Sequence, residues 1–261
     1  MSRIAIITGS DSGIGRATAL ALAERGCDLG ITWHTDSAGA AETAEGVAAC
    51  GRRAEVARLD LTAGPGAVVD ALAEALGGID VLVNNAGANH RAPVLEDTAD
   101  GWRRALEVNL TGPVLCAQAA ARRMVAAGHG GRIVNVTSVH EREPLAQAAA
   151  YSAAKAGLGM ATRVMALELA VHGITVNAVA PGHIATPMTG KAGVDPASVT
   201  LPEIPLGRPG GPAEVADVVA FLAGPEAAYI TGASVLVDGG LLLASCLPLQ
   251  RAVEGSPSPS E

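Results

Sequence analysis

Tyr151 and Lys155 stand four residues apart in the stretch Tyr-Ser-Ala-Ala-Lys. On a helix that spacing stacks a phenol and an ammonium on one face. A free tyrosine, with a pKa of about 10, is a poor acid or base at neutral pH. A neighbouring cation favours the phenolate, and a lowering of roughly two to three units brings the phenol into the range where proton transfer is efficient. Upstream, the apolar run Arg132-Ile-Val-Asn-Val-Thr-Ser138 reads as a strand with a hydroxyl at its carboxyl end. Such a serine can donate to a substrate oxygen and bond the phenol, although a strand-end serine is usually just a turn former. Asn109 lies amid Leu106, Val108, Leu110 and Val114, where an amide is costly to bury unless it is bonded. Taken alone it reads equally well as a satisfied core residue. A Tyr-x-x-x-Lys pair arises often by chance, so the chemistry depends on the elements that hold it.

Those elements must come from 261 residues, enough for one large α/β domain or two small ones. Apolar residues make up 49 % of the chain and aromatics only 2 %, so the core must be Ala, Val, Leu and Ile. That is the composition of a sheet covered by alanine-rich helices. A net charge of −8 without a basic cluster argues against nucleic acid or an anionic membrane as partner. Cys27, Cys50, Cys116 and Cys246 stand far apart, with neither a metal-ligand spacing nor a disulfide framework. They read as small core residues in a reducing compartment. A strand at residues 4–7 leaves no room for a signal peptide, and no apolar run reaches membrane-spanning length, so the expected location is cytoplasmic.

Ile4 to Ile7 is a continuous apolar run of the kind buried on both faces in a parallel sheet. It leads into Thr8-Gly-Ser-Asp-Ser-Gly-Ile-Gly15 and then a helical stretch that ends near Gly26. Strand, glycine-rich turn and helix form the context in which bare backbone approaches a pyrophosphate and the first helical N–H groups hold it. Further strands read at about Asp28–Trp33, Ala54–Leu59, Ile79–Val83, Arg132–Ser138, Ile174–Val179 and Ala233–Asp238, with helices between them. Alternation of this kind implies right-handed crossovers, a parallel sheet, and a ligand crevice at the carboxyl ends of the strands.

The segment Thr8–Gly15 resembles the Thr-Gly-x-x-x-Gly-Ile-Gly motif of the short-chain dehydrogenases/reductases, and the likeness runs to about Gly240. Asn84-Asn-Ala-Gly87 resembles the second signature of that family, and Pro181-Gly-His-Ile-Ala-Thr186 its segment beside the nicotinamide. The resemblance implies an α/β, Rossmann-like, doubly wound domain with a seven-stranded parallel sheet over residues 1–245. It makes Asn109, Ser138, Tyr151 and Lys155 the catalytic set, with Asn109 holding a water that connects Lys155 to solvent. It assigns Gly9, Ser10, Asp11, Ser12, Gly13, Ile14 and Gly15 to the pyrophosphate end of the cofactor. Trp33 and His34 would discriminate at the adenosine ribose, with Asp60 and Leu61 at the adenine edge. Asn85, Ala86 and Gly87 would lie against the cofactor, Tyr151 and Lys155 would meet its nicotinamide ribose, and Pro181, Gly182, Ile184 and Thr186 its amide end. Neither Trp33 nor His34 is acidic and His34 can face a phosphate, so NADP(H) is favoured. NAD(H) stays open, because Ser12 stands where members preferring NADP often carry a base and Asp36 is near enough to accept from a ribose.

The implied reaction is hydride transfer between a nicotinamide and a secondary alcohol or its ketone or aldehyde, with Tyr151 as general acid/base. Ser138-Val-His-Glu141 resembles the bacterial glucose 1-dehydrogenases of the family. Asn89, His90, His140, Glu141 and Gln147 could line a polar pocket for hydroxyl groups, or only touch water at its rim. The substrate is therefore a sugar or polyol, or a 3-oxoacyl thioester as in the 3-oxoacyl-[acyl-carrier-protein] reductases. The competing class is a catalytically silent NADP(H)-binding regulatory protein. Residues 187–207, rich in Pro, Gly and small polar residues, suit a mobile lid over a small-molecule substrate. Residues 246–261 read as a flexible tail. Apolar residues on several faces of the helices around 103–127 and 150–170 suggest subunit contacts, and the resemblance implies a homotetramer built through those helices.

Overall fold

In the computed structural model, residues 3–190 and 193–244 are described. The first strand, β1 (Ile4–Ile7), shows why its apolar residues are continuous: Ala5 and Ile7 join one buried cluster and Ile6 the opposite one. Every residue of such a strand needs an apolar partner, because helices cover both faces of the sheet. The strands β2 (Asp28–Trp33), β3 (Ala54–Arg58), β4 (Val81–Asn84), β5 (Gly131–Val136), β6 (Ile174–Pro181) and β7 (Ser234–Val237) complete a seven-stranded sheet in the order β3-β2-β1-β4-β5-β6-β7. All neighbours run parallel. This is the Rossmann-like architecture expected from the sequence.

The helices are α1 (Gly13–Glu24), α2 (Ser37–Ala49), α3 (Pro65–Leu76), α4 (Ala99–Leu106), α5 (Gly112–Ala127), α6 (Ala149–Leu169), α7 (Pro212–Ala223) and the short α8 (Leu241–Ala244). Alanine does the packing: α5 buries Ala117, Ala119, Ala120 and Ala121, with Cys116 and Met124 filling between them. Small side chains let helices sit close to the sheet, which answers the scarcity of aromatics. Cys27 and Cys116 are buried as expected, but Cys50 is exposed at the end of α2, where no core reaches it. No helix of the described residues is long and apolar enough to cross a membrane.

The chain starts at the centre of the sheet, builds outward through β2 and β3, then returns to place β4 on the other side of β1. Loops after β1 and β4 therefore diverge, and a crevice opens between them at the strands' carboxyl ends. Two boundaries differ from the sequence reading. Ser138 lies two residues beyond β5 and caps the 3-10 turn Val139–Glu141. Between α4 and α5, residues Glu107–Thr111 form one π-helical turn, a feature that often accompanies functional sites. The tail expected at residues 246–261, and Cys246 with it, lies outside the described residues.

Candidate active site

The glycine turn is fixed by what it must pass. Gly9 and Gly13 have φ of +63° and +53°, the left-handed region that suits a residue without a side chain. A Cβ on Gly15 would lie 2.0 Å from the Gly9 carbonyl oxygen, so the first turn of α1 closes only on glycine. Thr8 Oγ1 accepts from the backbone N–H groups of Asn85 and Ala86 at 3.0 Å each, tying the turn to the end of β4. Asn85 Nδ2 donates to the Thr8 and Gly9 carbonyls at 3.0 and 2.8 Å. Ser12 is the N-cap of α1 and makes no side-chain capping bond. The helix thus presents uncapped N–H groups and its positive end to whatever lies in the turn. A cleft of about 790 Å³ runs from here past Trp33, His34 and Thr35 in one direction and to Tyr151 in the other. Bare glycine backbone, an uncapped helix start and this length of cleft fit a dinucleotide.

Of the residues expected along it, Gly9, Asp11, Ser12, Gly13, Ile14, Trp33, His34, Asn85, Ala86, Gly87, Pro181, Gly182, Ile184 and Thr186 line the cleft. Ser10, Gly15, Asp60 and Leu61 are not part of its wall. Ser10 is buried, donating to the Ile7 carbonyl and accepting from Thr32 N, so it braces the turn from below. Leu61 packs into the core and Leu59 takes the wall position instead. The Asp60 carboxylate accepts from Thr62 N and Thr62 Oγ1, bonds that hold its pKa below the usual range. It sits 3.6 Å from His34 Nε2, so the imidazole expected to meet a phosphate already has an acidic neighbour. Asp36 accepts from Gly39 N as the cap of α2. Burial, with Asp36 adding to it, raises the pKa of Asp11.

At the other end, Asn109, Ser138, Tyr151 and Lys155 come together on the cleft wall. Helix α6 carries the last two, and its face against β5 buries both. Lys155 Nζ donates to the Val136 carbonyl at 2.9 Å and lies 5.8 Å from the Tyr151 ring centre. Burial pulls its pKa down to about 8, with the Glu141 carboxylate opposing. The sequence led us to expect that this cation would lower the tyrosine. Instead burial raises the phenol above its ordinary value, while bonding to Ser138 and the charge of Arg91 work against the rise. Taking both groups out of water disfavours both charged forms.

Asn109 sits within the π turn and makes three of the four hydrogen bonds open to an amide. Its Nδ2 donates to the Ala88 and Ala105 carbonyls at 3.0 and 3.1 Å, and its Oδ1 accepts from Ala88 N at 3.2 Å. It hangs the loop after β4 on the helix. A Cβ on Gly87 would come within 2.9 Å of Asn109 Oδ1 and 3.6 Å of Lys155 Nζ, so bare backbone is needed there too.

The pocket expectation for the substrate end is half corrected. Asn89 and His140 line the cleft, whereas His90, Glu141 and Gln147 do not. His90 Nε2 is bonded to Asp97 Oδ1 at 2.9 Å and turns toward the start of α4. Glu141 points behind the wall, accepting from Ser234 Oγ at 2.6 Å, with its side chain 5 % exposed. Gln147 is exposed, with φ +65°, and contributes its carbonyl to Ala92 N. Arg91 and His183 line this end without having been singled out in the sequence. In an extended stretch side chains two apart share a side, which groups Asn89 with Arg91 and sets His90 apart.

The family model that matches residues 9–242 is described as enoyl-(acyl carrier protein) reductase. An uncharacterized oxidoreductase, YohF, of Escherichia coli K12 is 53 % identical over 94 % of this chain and 98 % of its own. A cis-4-hydroxycyclohexanecarboxylate dehydrogenase of Sinomonas cyclohexanicum is 43 % identical, covering 91 % of this chain and 96 % of the relative. The crystal structure of an acetoin dehydrogenase from Enterobacter cloacae superposes with a TM-score of 0.89 at 50 % identity, over 98 % of this chain and 99 % of that one.

Proposed function

The chain belongs to the short-chain dehydrogenase/reductase family, an NAD(P)-dependent oxidoreductase group, and we propose that Asn109, Ser138, Tyr151 and Lys155 are its catalytic residues. The reaction class is interconversion of a secondary alcohol and its carbonyl compound. The observation that supports the residue assignment is one wall of one cleft carrying the glycine turn, the Ser138 hydroxyl and the Tyr151–Lys155 pair.

A bound nicotinamide supplies or removes the hydride. The residues manage the rest. Tyr151 holds the proton that is exchanged with the substrate oxygen. Ser138 Oγ accepts from His140 N at 3.2 Å, and its one hydrogen, which serves Tyr151 here, can turn to the same substrate oxygen. Lys155, its pKa brought down to about 8 by burial, is held 5.8 Å from the phenol ring by its bond to the Val136 carbonyl and is the cation at hand when the phenol gives its proton up. Glycines 9 and 13 with the start of α1 would hold the phosphates of a bound dinucleotide.

NADP(H) is the favoured cofactor in this reading, because no carboxylate ends β2 and Arg58, whose Nε donates to the His34 carbonyl at 3.2 Å, stands beside that position. Residues 187–207 act as a lid: Met188, Thr189, Leu201 and Glu203 contribute to the cleft wall, and Asn89 Nδ2 donates to the Met188 carbonyl at 3.3 Å. Leu115 on α5, with Met160, Val164 and Leu167 on α6, leaves an apolar stripe on the surface, which supports assembly into a homotetramer. The free thiols suit a reducing cytoplasm. The substrate is a small polar ketone or alcohol, in keeping with the relative named for acetoin and with the polar lining at Asn89, Arg91 and His140.

Tyr151→Phe tests the assignment. Turnover, read at 340 nm with short hydroxyketones, polyols and β-keto esters, should fall at least a thousandfold, while cofactor affinity changes less than threefold. Wild-type turnover in that variant refutes it.

A further inference from the structure

We infer that the amino-terminal edge of the sheet carries a second binding site, for a phosphate group, with Arg3 and Arg132 as its ligands. A cavity of about 310 Å³ opens there, lined by Arg3, Asp80, His129 and Arg132, with Gly130 and Gly131 between the last two. Arg3 directly precedes β1, Asp80 directly precedes β4, and Arg132 is the second residue of β5. These strands are parallel neighbours, so the three residues share one edge of the sheet. The glycine turn and Ser138 lie beyond the carboxyl ends of the same strands, at the opposite edge. The cavity shares no residue with the cofactor cleft.

The charges around this cavity do not cancel. Neither Arg3 nor Arg132 forms an ion pair among the described residues. Arg132 donates to two carbonyls instead, from Nη1 to Gly131 at 2.9 Å and from Nε to Gly224 at 3.5 Å. Those bonds fix the side chain without neutralising it. Burial, and after it the charge of Arg3, holds the Arg132 guanidinium below its ordinary pKa. The carboxylate in the wall is already engaged: Asp80 Oδ2 accepts from Ile4 N at 2.7 Å, and Oδ1 lies 3.6 Å from His129 Nδ1. Two guanidinium groups against one carboxylate leave a positive surplus, larger still when His129 is protonated, on a chain whose net charge is −8. An anion between the two arginines relieves both their repulsion and the cost of burying an unpaired cation. The planar fork of a guanidinium meets two oxygens of a phosphate at once, which favours that group over a carboxylate-free halide or a single-point acceptor. At less than half the 790 Å³ of the cleft, the cavity suits free phosphate or a small phosphomonoester rather than a dinucleotide.

The test is thermal unfolding of the full chain in inorganic phosphate, with chloride holding the ionic strength constant and excess NADH and NADPH filling the glycine turn. Phosphate at ten times a millimolar Kd should raise the wild-type Tm by roughly 3–6 °C. Arg3→Gln should lose more than half of that rise, and so should Arg132→Gln. The Arg3 side chain makes no hydrogen bond or ion pair among the described residues, so its variant decides the matter if the Arg132 variant does not fold. Glycerol 3-phosphate in place of phosphate separates the two sources of the group. An equal rise assigns the site to a phosphomonoester, and a rise with inorganic phosphate alone assigns it to the free ion. No rise in the wild type, the same rise in both variants, or a rise just as large with acetate overturns the site and leaves the oxidoreductase reading standing.

Discussion

Replacing Lys155 with methionine separates what the ammonium costs the fold from what it contributes to the site. The side chain is 4 % exposed, and burial lowers its pKa from 10.5 to about 8. That gap of about 2.5 units corresponds to about 3 kcal/mol of differential stability at 1.36 kcal/mol per unit. Between pH 8 and 10.5 the unfolded chain keeps a proton that the folded chain has released, so this group makes stability rise with pH through that window. At pH 7 it is charged in both states and the full cost is present. Methionine fills the stem's volume without charge, but leaves the Val136 carbonyl without its donor at 2.9 Å. Losing that bond costs about 1–2 kcal/mol. The variant should therefore be more stable by about 1–2 kcal/mol at pH 7, a rise in Tm of roughly 2–8 °C. By pH 10 or so the advantage should have vanished. The Cys116 thiol, pushed up to about 12 by burial, titrates in the opposite sense above pH 9, so the quantity to follow is the difference between the two proteins. Denaturant titrations at pH 7, 8.5 and 10 and one fixed protein concentration give it directly. A difference that stays constant across those three values refutes the reasoning.

Gly15→Ala places a Cβ 2.0 Å from the Gly9 oxygen and 2.6 Å from Asn85 Nδ2, so the turn must open. Cofactor affinity should fall at least tenfold by fluorescence titration, with a stability loss of about 1–3 kcal/mol, and wild-type affinity contradicts the fit of the turn to a diphosphate. Asp60→Asn removes the carboxylate 3.6 Å from His34 Nε2 and should raise the ratio of NADP(H) to NAD(H) affinity severalfold. An unchanged ratio by calorimetry means that His34 does not meet a phosphate. Asn109→Leu keeps volume in a fully buried position but strips partners from Ala88 and Ala105, and unfolding should show a loss of about 2–4 kcal/mol.

The sheet was legible because its strands are buried on both faces, and a short run such as Ile4–Ile7 or Asp28–Trp33 is what such a strand requires. The cleft was legible for the same local reason: a glycine turn between a strand and a helix announces a backbone that something must approach. The π turn at Glu107–Thr111 left no such mark. One extra residue in a helical turn changes no periodicity that a five-residue window could register, and only the misplaced amide of Asn109 hinted at it. His90 was misjudged because its partner, Asp97, lies seven residues away on a turn whose path the sequence does not draw.

Glu141 shows most clearly why substrate residues resist reading along a chain. It directly follows His140, and the two look like one polar pair. In a 3-10 turn successive side chains are rotated by about 120°, so His140 faces the cleft while Glu141 passes behind α6 toward Ser234 of β7. There it lies over Gly159, whose Cβ would come within 3.0 Å of Glu141 Oε2. Gly159 is four residues beyond Lys155, as Tyr151 is four before it, so the carboxylate sits along the same helical face as the pair. Its negative charge opposes the burial that would otherwise neutralise the lysine. Adjacent residues on one turn thus address opposite sides of the Tyr151–Lys155 pair, His140 toward the cleft and Glu141 toward the cation. A reading that groups residues by sequence neighbourhood must merge what the turn separates.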